Sequence, residues 1–167
     1  RPCLVWGDEM ITYAEIERRA GRTAAGLRAL GITRGDVVAV LLYNCPEFIE
    51  VMFAISRIGA VFMPINWRLA GAEISYIASH AGAALVVSEP ELVPLAEAAR
   101  PQLAGARFVC VGAAPPGWTA FEALRKDGDA PAMEPVAGDD LHRLMYTSGT
   151  TARPKGVMIT YANLYWK

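Results

Sequence analysis

Three Gly-Ala pairs divide the middle of the chain into segments of equal length. They are Gly59-Ala60, Gly82-Ala83 and Gly105-Ala106, 23 residues apart, and each precedes a short apolar run. Glycine readily takes the left-handed conformation that ends a helix. No leucine-rich or ankyrin consensus accompanies the period, which argues against a solenoid. The pattern predicts successive βα units, and therefore an α/β fold with a mostly parallel sheet flanked by helices.

Continuous apolar runs predict the strands of this sheet. A run without polar alternation is typical of a strand that is buried on both faces. A helix is predicted from Asn44 and Pro46 to about Arg57, since proline suits the first turn of a helix. The predicted buried strands are residues 37–42, 61–63, 85–87 and 108–111.

The two ends of the chain carry different local patterns. Residues 2–6 and 10–12 flank a turn and predict a hairpin. Thr12 and Glu15 have the spacing of a capping box, which predicts a helix that runs from Thr12 to Gly31.

Nearer the other end, residues 118–126 are predicted as a helix and residues 127–138 as a loop. Residues 141–146 form a predicted strand in which His142, Leu144 and Tyr146 share one face, because side chains alternate along a strand. Residues 154–160 are expected to be extended, with a further helix beginning near Ala162.

Composition excludes several classes of protein. The 167 residues carry a formal net charge of −1, and no basic cluster suggests a nucleic-acid partner. Cys3, Cys45 and Cys110 are too few and too far apart to indicate a disulfide framework or a zinc site. No apolar run approaches the roughly 18 residues of a membrane span, and the start lacks a signal-peptide pattern. We therefore expect a cytoplasmic protein without a membrane span.

Residues 146–157, which begin at the last residue of the predicted strand 141–146, contain the side chains that are most suited to binding a ligand. Residues 146–157 read Tyr-Thr-Ser-Gly-Thr-Thr-Ala-Arg-Pro-Lys-Gly-Val. Hydroxyl groups and free backbone N–H groups donate to phosphate oxygens, and Lys155 adds a mobile positive charge. The Walker pattern does not fit, because Pro154 stands where its second glycine belongs and Gly156 follows the lysine. From residue types alone, a phosphate-binding loop and an ordinary polar loop both remain open.

This segment resembles the signature loop of the acyl-adenylate-forming, or AMP-binding, superfamily. That superfamily includes acyl- and aryl-CoA synthetases, the adenylation domains of peptide synthetases, and firefly luciferase. Ten of the eleven fixed positions of the signature are present between Tyr146 and Val157. Residues 12–16, 31–38 and 59–66 also resemble family segments. The chain departs from the family at Ala152, where the signature has glycine, and at Tyr161, where many members have histidine.

The resemblance implies a function and a set of site residues. It implies that residues 1–167 are the N-terminal portion of the AMP-binding domain, within the large domain of the enzyme, with the remainder and a C-terminal domain absent. In the implied reaction, ATP with magnesium converts a carboxylic acid into an acyl-adenylate, and a fatty acid is the favoured substrate. The acyl group is then transferred to CoA as a thioester. Thr147 also matches a position that assists magnesium in some relatives. The positions that match ATP contacts of the family are Thr147, Ser148, Gly149, Thr150, Thr151 and Lys155.

Two other functions stay open at this point. One is an adenylation domain that loads a carrier protein, although residues 64–69 look more like those of acyl- and aryl-CoA ligases. The other is a nucleotide-binding module without catalysis. Residues 1–167 alone are expected to be inactive and prone to self-association, because 53% of them are hydrophobic and strand edges tend to find partners. His80 and His142 are expected to be surface or packed residues, with no role as catalytic bases.

Overall fold

A seven-stranded sheet forms the centre of the computed structural model, which describes residues 1–125, 129–147 and 153–165. The strands are β1 Pro2–Trp6, β2 Glu9–Thr12, β3 Val37–Leu41, β4 Val61–Pro64, β5 Ala83–Ser88, β6 Arg107–Cys110, β7 Thr119–Ala120, β8 Leu141–Thr147 and β9 Lys155–Thr160. The α-helices are α1 Tyr13–Ala29, α2 Pro46–Arg57, α3 Gly71–His80, α4 Val93–Glu97 and α5 Tyr161–Tyr165.

The sheet is mostly parallel. Its strand order is β7-β6-β5-β3-β4-β8-β9. The pair β8–β9 at one edge is antiparallel, and the other five pairs among the described residues are parallel. Strands β1 and β2 form a separate antiparallel hairpin. The predicted α/β class with a mostly parallel sheet flanked by helices is confirmed.

Helices cover the two faces of the sheet and create two apolar cores. Val38 and Val40 of β3 pack in the core beneath α1 and α2, whereas Ala39 and Leu41 pack in the core beneath α3 and α4. Each of these four side chains is fully buried. A strand covered on both faces needs apolar residues at every position, which explains the continuous run in the sequence. Among the described residues, no helix has the length and apolar character to cross a membrane.

The repeated glycines end helical segments, as their spacing predicts. Gly59, Gly82 and Gly105 have φ angles of +69°, +64° and +83°. This left-handed conformation is accessible to glycine at little cost, and it lets the chain leave a helical segment and enter the next strand.

The segment after β7 is fixed to the helix layer by a buried carboxylate. Glu50 of α2 has a side chain that is 1% exposed, and it accepts hydrogen bonds from Thr23 of α1 and from Arg125. Gly26 of α1 lies against the same segment, where a Cβ atom would stand 2.4 Å from the carbonyl oxygen of Leu124. A buried carboxylate is tolerated only with such partners, so this contact defines where the segment docks.

The helix predicted over residues 118–126 is wrong for the part that the structure describes. Thr119 and Ala120 instead pair with β6, and one 3-10 turn follows at Phe121–Ala123. Phe121 and Leu124 are buried because this segment docks against the α1–α2 layer, and this long-range packing decides its local structure.

The predicted common face of His142, Leu144 and Tyr146 is also wrong. The ladder between β8 and β9 shifts register between Leu141 and Arg143. An irregularity of this kind reverses the direction of the side chains that precede it. His142 therefore lies 3.1 Å from the hydroxyl of Ser56 in α2, whereas Leu144 and Tyr146 pack on the side of α3.

Candidate functional site

Two predicted site residues face each other at the end of the β8–β9 hairpin. Thr147 and Lys155 form the last pair of the antiparallel ladder, and the Thr147 hydroxyl lies 3.5 Å from the carbonyl oxygen of Lys155. Both residues are exposed. Ladder pairing thus brings together two residues from opposite sides of the signature loop. The loop residues Ser148, Gly149, Thr150, Thr151 and Ala152 lie outside the described residues.

This pair lies at the edge of the sheet where parallel strands end. Strand β8 runs parallel to β4, and β4 runs parallel to β3. The carboxyl ends of all three strands therefore meet at one edge. Open α/β sheets bind their ligands in the crevice beyond this edge, so Thr147 and Lys155 stand where the fold favours a binding site.

Aromatic and charged side chains occupy the neighbouring part of this edge. Tyr43 follows β3 and Trp67 follows β4, and their rings meet edge to face with centroids 5.0 Å apart. The guanidinium of Arg68 lies 4.4 Å from the centre of the Trp67 ring. Glu89 follows β5 and accepts the backbone N–H of Tyr43, while burial raises the pKa of this carboxyl group. The edge therefore offers flat apolar surfaces beside charged groups.

The stem of the hairpin is built around Tyr146. Its facing residue is Gly156, where a Cβ atom would stand 3.2 Å from Cζ of the tyrosine and 3.1 Å from Cδ1 of Leu144. Glycine at this position leaves room for the ring to lie across β9. The phenol oxygen of Tyr146 is 2.7 Å from Nδ1 of His80, and burial raises the pKa of the phenol. Tyr146, the first residue of the signature segment, is thus held by His80 and lies against Gly156.

Comparison with known proteins identifies the family. The family model described as AMP-binding enzyme matches residues 1–167.

The chain belongs to the AMP-binding enzyme family.

Similar family members are CoA ligases. The chain is 39% identical over 158 residues to an indoleacetate–CoA ligase of Aromatoleum aromaticum, covering 93% of this chain and 31% of that protein. It is 38% identical over 167 residues to a long-chain-fatty-acid–CoA ligase of Mycobacterium tuberculosis, covering 95% and 31%. A benzoate CoA ligase from Burkholderia xenovorans matches in structure with a TM-score of 0.84 and 27% identity, over 99% of this chain and 32% of that one. The chain thus spans about a third of the length of these AMP-binding relatives.

The family resemblance implies a bound magnesium ion, and the side chains near Thr147 show which ligands the chain could offer it. Protein sites for Mg²⁺ use one or two carboxylates beside phosphate oxygens and water. The described ranges hold no group of three or more His, Cys, Asp or Glu side chains that could bind a metal. Thr147 offers one exposed hydroxyl oxygen, which alone does not make a magnesium site, and its role toward magnesium stays a prediction.

Tyr161, which departs from the family pattern, lies at the opposite end of the hairpin. Its neighbour Thr160 pairs with Leu141 at the start of β8, roughly 20 Å along the strand from Thr147. The Tyr161 ring meets His142 edge to face at 4.9 Å, and its hydroxyl donates to the carbonyl oxygen of Ser56 at 3.4 Å. Tyr161 packs against α2, away from the signature loop.

Sequence reasoning missed the contacts that support the site from the helix layer. His80 bonds to Tyr146, and Arg153 lies over the ring of Tyr76. Tyr76 and His80 are four residues apart in α3, so they share one face of the helix. This spacing in the sequence indicates that the two rings lie side by side. It does not indicate their partners, Tyr146 and Arg153, which are far away in the chain. As expected, both His80 and His142 engage neighbouring side chains.

Proposed function

We propose that the full-length protein is an ATP-dependent acid–CoA ligase. It would activate a carboxylic acid as an acyl-adenylate and then transfer the acyl group to CoA. Membership in the AMP-binding family and similarity to CoA ligases support this function. The observation that carries it is the pairing of Thr147 with Lys155 at the carboxyl edge of the sheet, where they flank the signature loop.

The first step releases a highly charged leaving group, which Thr147 and Lys155 would stabilise. A carboxylate oxygen attacks the α-phosphorus of ATP, and the bond from that phosphorus to the bridging oxygen breaks. The departing pyrophosphate carries several negative charges, which the Lys155 ammonium and the Thr147 hydroxyl would stabilise. Ser148, Gly149, Thr150 and Thr151 would add further donors, as their match to the signature implies. Magnesium, when bound with Thr147 as one ligand, would neutralise phosphate charge.

The second step needs no nucleophile from the protein. The thiol of CoA loses its proton to solvent, its sulfur attacks the acyl carbon of the adenylate to form a carbon–sulfur bond, and AMP departs with the electrons of the carbon–oxygen bond. Both nucleophiles thus come from substrates. The task of the chain is to bind, orient and stabilise charge.

For the acid, we propose a fatty acid as the first substrate to test. A relative that acts on long-chain fatty acids is 38% identical and one that acts on indoleacetate is 39% identical, so similarity alone does not separate aliphatic from aryl acids. A panel of fatty, benzoic and indoleacetic acids would separate them.

The test is ATP–pyrophosphate exchange by the full-length protein with this panel, followed by CoA-dependent release of AMP. Lys155→Ala should slow exchange by about 100-fold, the effect of losing one strong electrostatic donor. It should also raise the KM for ATP more than the KM for the acid, because Lys155 would act on phosphate and not on the acyl chain.

Arg107→Ala is the matched control. Arg107 is an exposed cation at the amino end of β6, the opposite edge of the sheet, so its loss should leave exchange unchanged. Absence of exchange with every acid would reject the proposed function. Equal behaviour of the two variants would reject the role of Lys155, and AMP release that requires a carrier protein in place of CoA would indicate the adenylation-domain alternative.

A further inference from the structure

One face of α3 contacts the chain on both sides of residues 148–152, the central part of the signature segment. Tyr76 and His80 stand one helical turn apart, with ring centroids separated by 5.3 Å and planes inclined by 30°. His80 contacts Tyr146, which precedes the loop, and Tyr76 contacts Arg153, which follows it. Two residues of one helix thus touch two chain segments that lie on either side of residues 148–152.

The contact before the loop is a directed hydrogen bond. Nδ1 of His80 and the phenol oxygen of Tyr146 are 2.7 Å apart, and the two rings meet edge to face with centroids 5.9 Å apart. On its other side the tyrosine ring lies against Gly156, within 3.2 Å of where a Cβ atom would stand. The ring of Tyr146 is therefore confined between α3 and the backbone of β9, and its backbone leads directly into Thr147.

The contact after the loop is a cation–π contact. The Arg153 guanidinium lies 5.5 Å from the centre of the Tyr76 ring, a distance at which a cation is attracted to an aromatic face. Pro154 and Arg153 also line an open groove of about 360 Å³ with Tyr76, Glu73 and Gln102. The segment that leads into Lys155 is thus seated against the same helix.

Strand β9 needs such support because, within the described part of the chain, it is an edge strand of the sheet. It pairs with β8, and the ladder ends at Thr147 and Lys155. Terminal pairs of an edge strand open easily. A displacement of about 1 Å in a group that stabilises a transition state can reduce a rate by about 100-fold.

We infer that Tyr76 and His80 are positioning residues, which hold Thr147 and Lys155 in the arrangement that binds the phosphates of ATP. This inference rests on the proposed function for its kinetic consequence. His80 acts through Tyr146, and Tyr76 acts through Arg153. Neither residue of α3 needs to touch the nucleotide.

The kinetic test uses the full-length protein and the exchange assay above. His80→Phe and Tyr146→Phe each remove the hydrogen bond and keep an aromatic ring, so each should raise the KM for ATP about fivefold, the effect of one neutral hydrogen bond. The KM for the acid should not change. The double variant should be no worse than either single variant, because both remove the same bond. His80→Asn can place a hydrogen-bonding group near the position of Nδ1, and it should restore part of the affinity for ATP.

Tyr13→Phe is the control, since Tyr13 is exposed on α1, which packs on the other face of the sheet. A second measurement is independent of catalysis. Backbone amide hydrogen exchange at Thr147 and Lys155 should accelerate in His80→Phe and in Tyr76→Leu, while amides of β3 keep their wild-type rates.

The outcomes separate the two proposals. A wild-type protein without pyrophosphate exchange rejects the proposed function, and faster amide exchange in the α3 variants then still supports the positioning role. Active variants with wild-type KM for ATP and unchanged amide exchange overturn the positioning role and leave the proposed function intact. Equal changes in the KM values for ATP and for the acid, or additive effects in the double variant, also overturn it.

Discussion

His142 is a buried histidine with a partner at each ring nitrogen. The Ser56 hydroxyl donates to the carbonyl oxygen of Met52 at 3.0 Å, so it accepts the N–H of Nε2 from His142 at 3.1 Å. The Nε group of Arg143 lies 3.4 Å from Nδ1. This arrangement suits the neutral ring and leaves no acceptor for a second ring proton. Burial lowers the pKa of His142, and the charge of Arg143 lowers it further.

A pH dependence of stability follows from this depressed pKa. In the unfolded chain the pKa of His142 returns to its ordinary value of 6.5, so the unfolded state binds the proton more readily. The stabilising contribution is therefore complete above this value. We expect the free energy of unfolding to fall as pH drops below it, until the pH passes the folded pKa.

Urea unfolding from about pH 8 to about pH 5 measures this effect. His142→Gln retains a polar side chain but cannot titrate, so its free energy of unfolding should fall less across that range. An equal fall in the variant would assign the pH dependence to other groups.

At the scale of the element, the tightest constraint is the approach of the segment around Leu124 to α1. A Cβ atom at Gly26 would stand 2.4 Å from the carbonyl oxygen and 2.6 Å from Cα of Leu124, both of them backbone atoms. Backbone cannot rotate away as a side chain can. Either α1 or the docked segment would have to move.

Gly26→Ala should therefore lower the free energy of unfolding by about 2 kcal/mol, the usual effect of overpacking. This loss is expected even though alanine is the better helix former by about 1 kcal/mol. The control is Gly138→Ala, whose Cβ atom would stand 3.6 Å from Cβ of Ala162, an ordinary contact. It should change stability by less than about 0.5 kcal/mol. Chemical denaturation of both variants tests the prediction, and similar stabilities would contradict it.

The elements differ in how far sequence could predict them. Strands β3 and β5 were predictable because burial on both faces demands a continuous apolar run, which is visible in the sequence itself. The capping box was half right. Thr12 accepts the N–H of Glu15 at 3.2 Å, but the Glu15 carboxylate bonds to Arg18 and Arg19.

The errors arise where distant parts of the chain decide local structure. Thr119 and Ala120 become a strand because β6 offers a free edge, and the direction of His142 depends on a register shift opposite β9. In the candidate site, the predicted strand 141–146 and the extended segment 154–160 correspond closely to β8 and β9, whereas the site roles of Thr147 and Lys155 stay predictions. The support from His80 could not be read from sequence, because it depends on how α3 and β8 meet.

At the scale of the whole molecule, apolar side chains remain exposed on the outer hairpin. Met145 is 42% exposed, Val157 46% and Met158 67%. Strand β9 is also the outer strand of the sheet, so one of its edges is free within the described part of the chain. An apolar edge strand readily pairs with another chain.

Residues 1–167 expressed alone should therefore self-associate, with a mass by light scattering that rises with concentration. Met158→Lys should reduce the association, because a charge on an edge strand opposes pairing. Met133→Lys is the control, since Met133 is 71% exposed but lies in the loop before β8. Equal association of the two variants would show that the hairpin is not the contact surface.

The position of β8 in the sheet has a consequence for the order of folding. Val37 of β3 pairs with Val61 of β4 and with Ala83 of β5, whereas Phe62 of β4 meets Arg143 of β8 across a longer separation of roughly 80 residues. Closing so long a loop is slow unless the intervening chain has already collapsed. The contacts within the β8–β9 hairpin are local, so they need no such long closure. We therefore expect the hairpin, with the signature segment that it carries, to join β3, β4 and β5 after these strands have assembled.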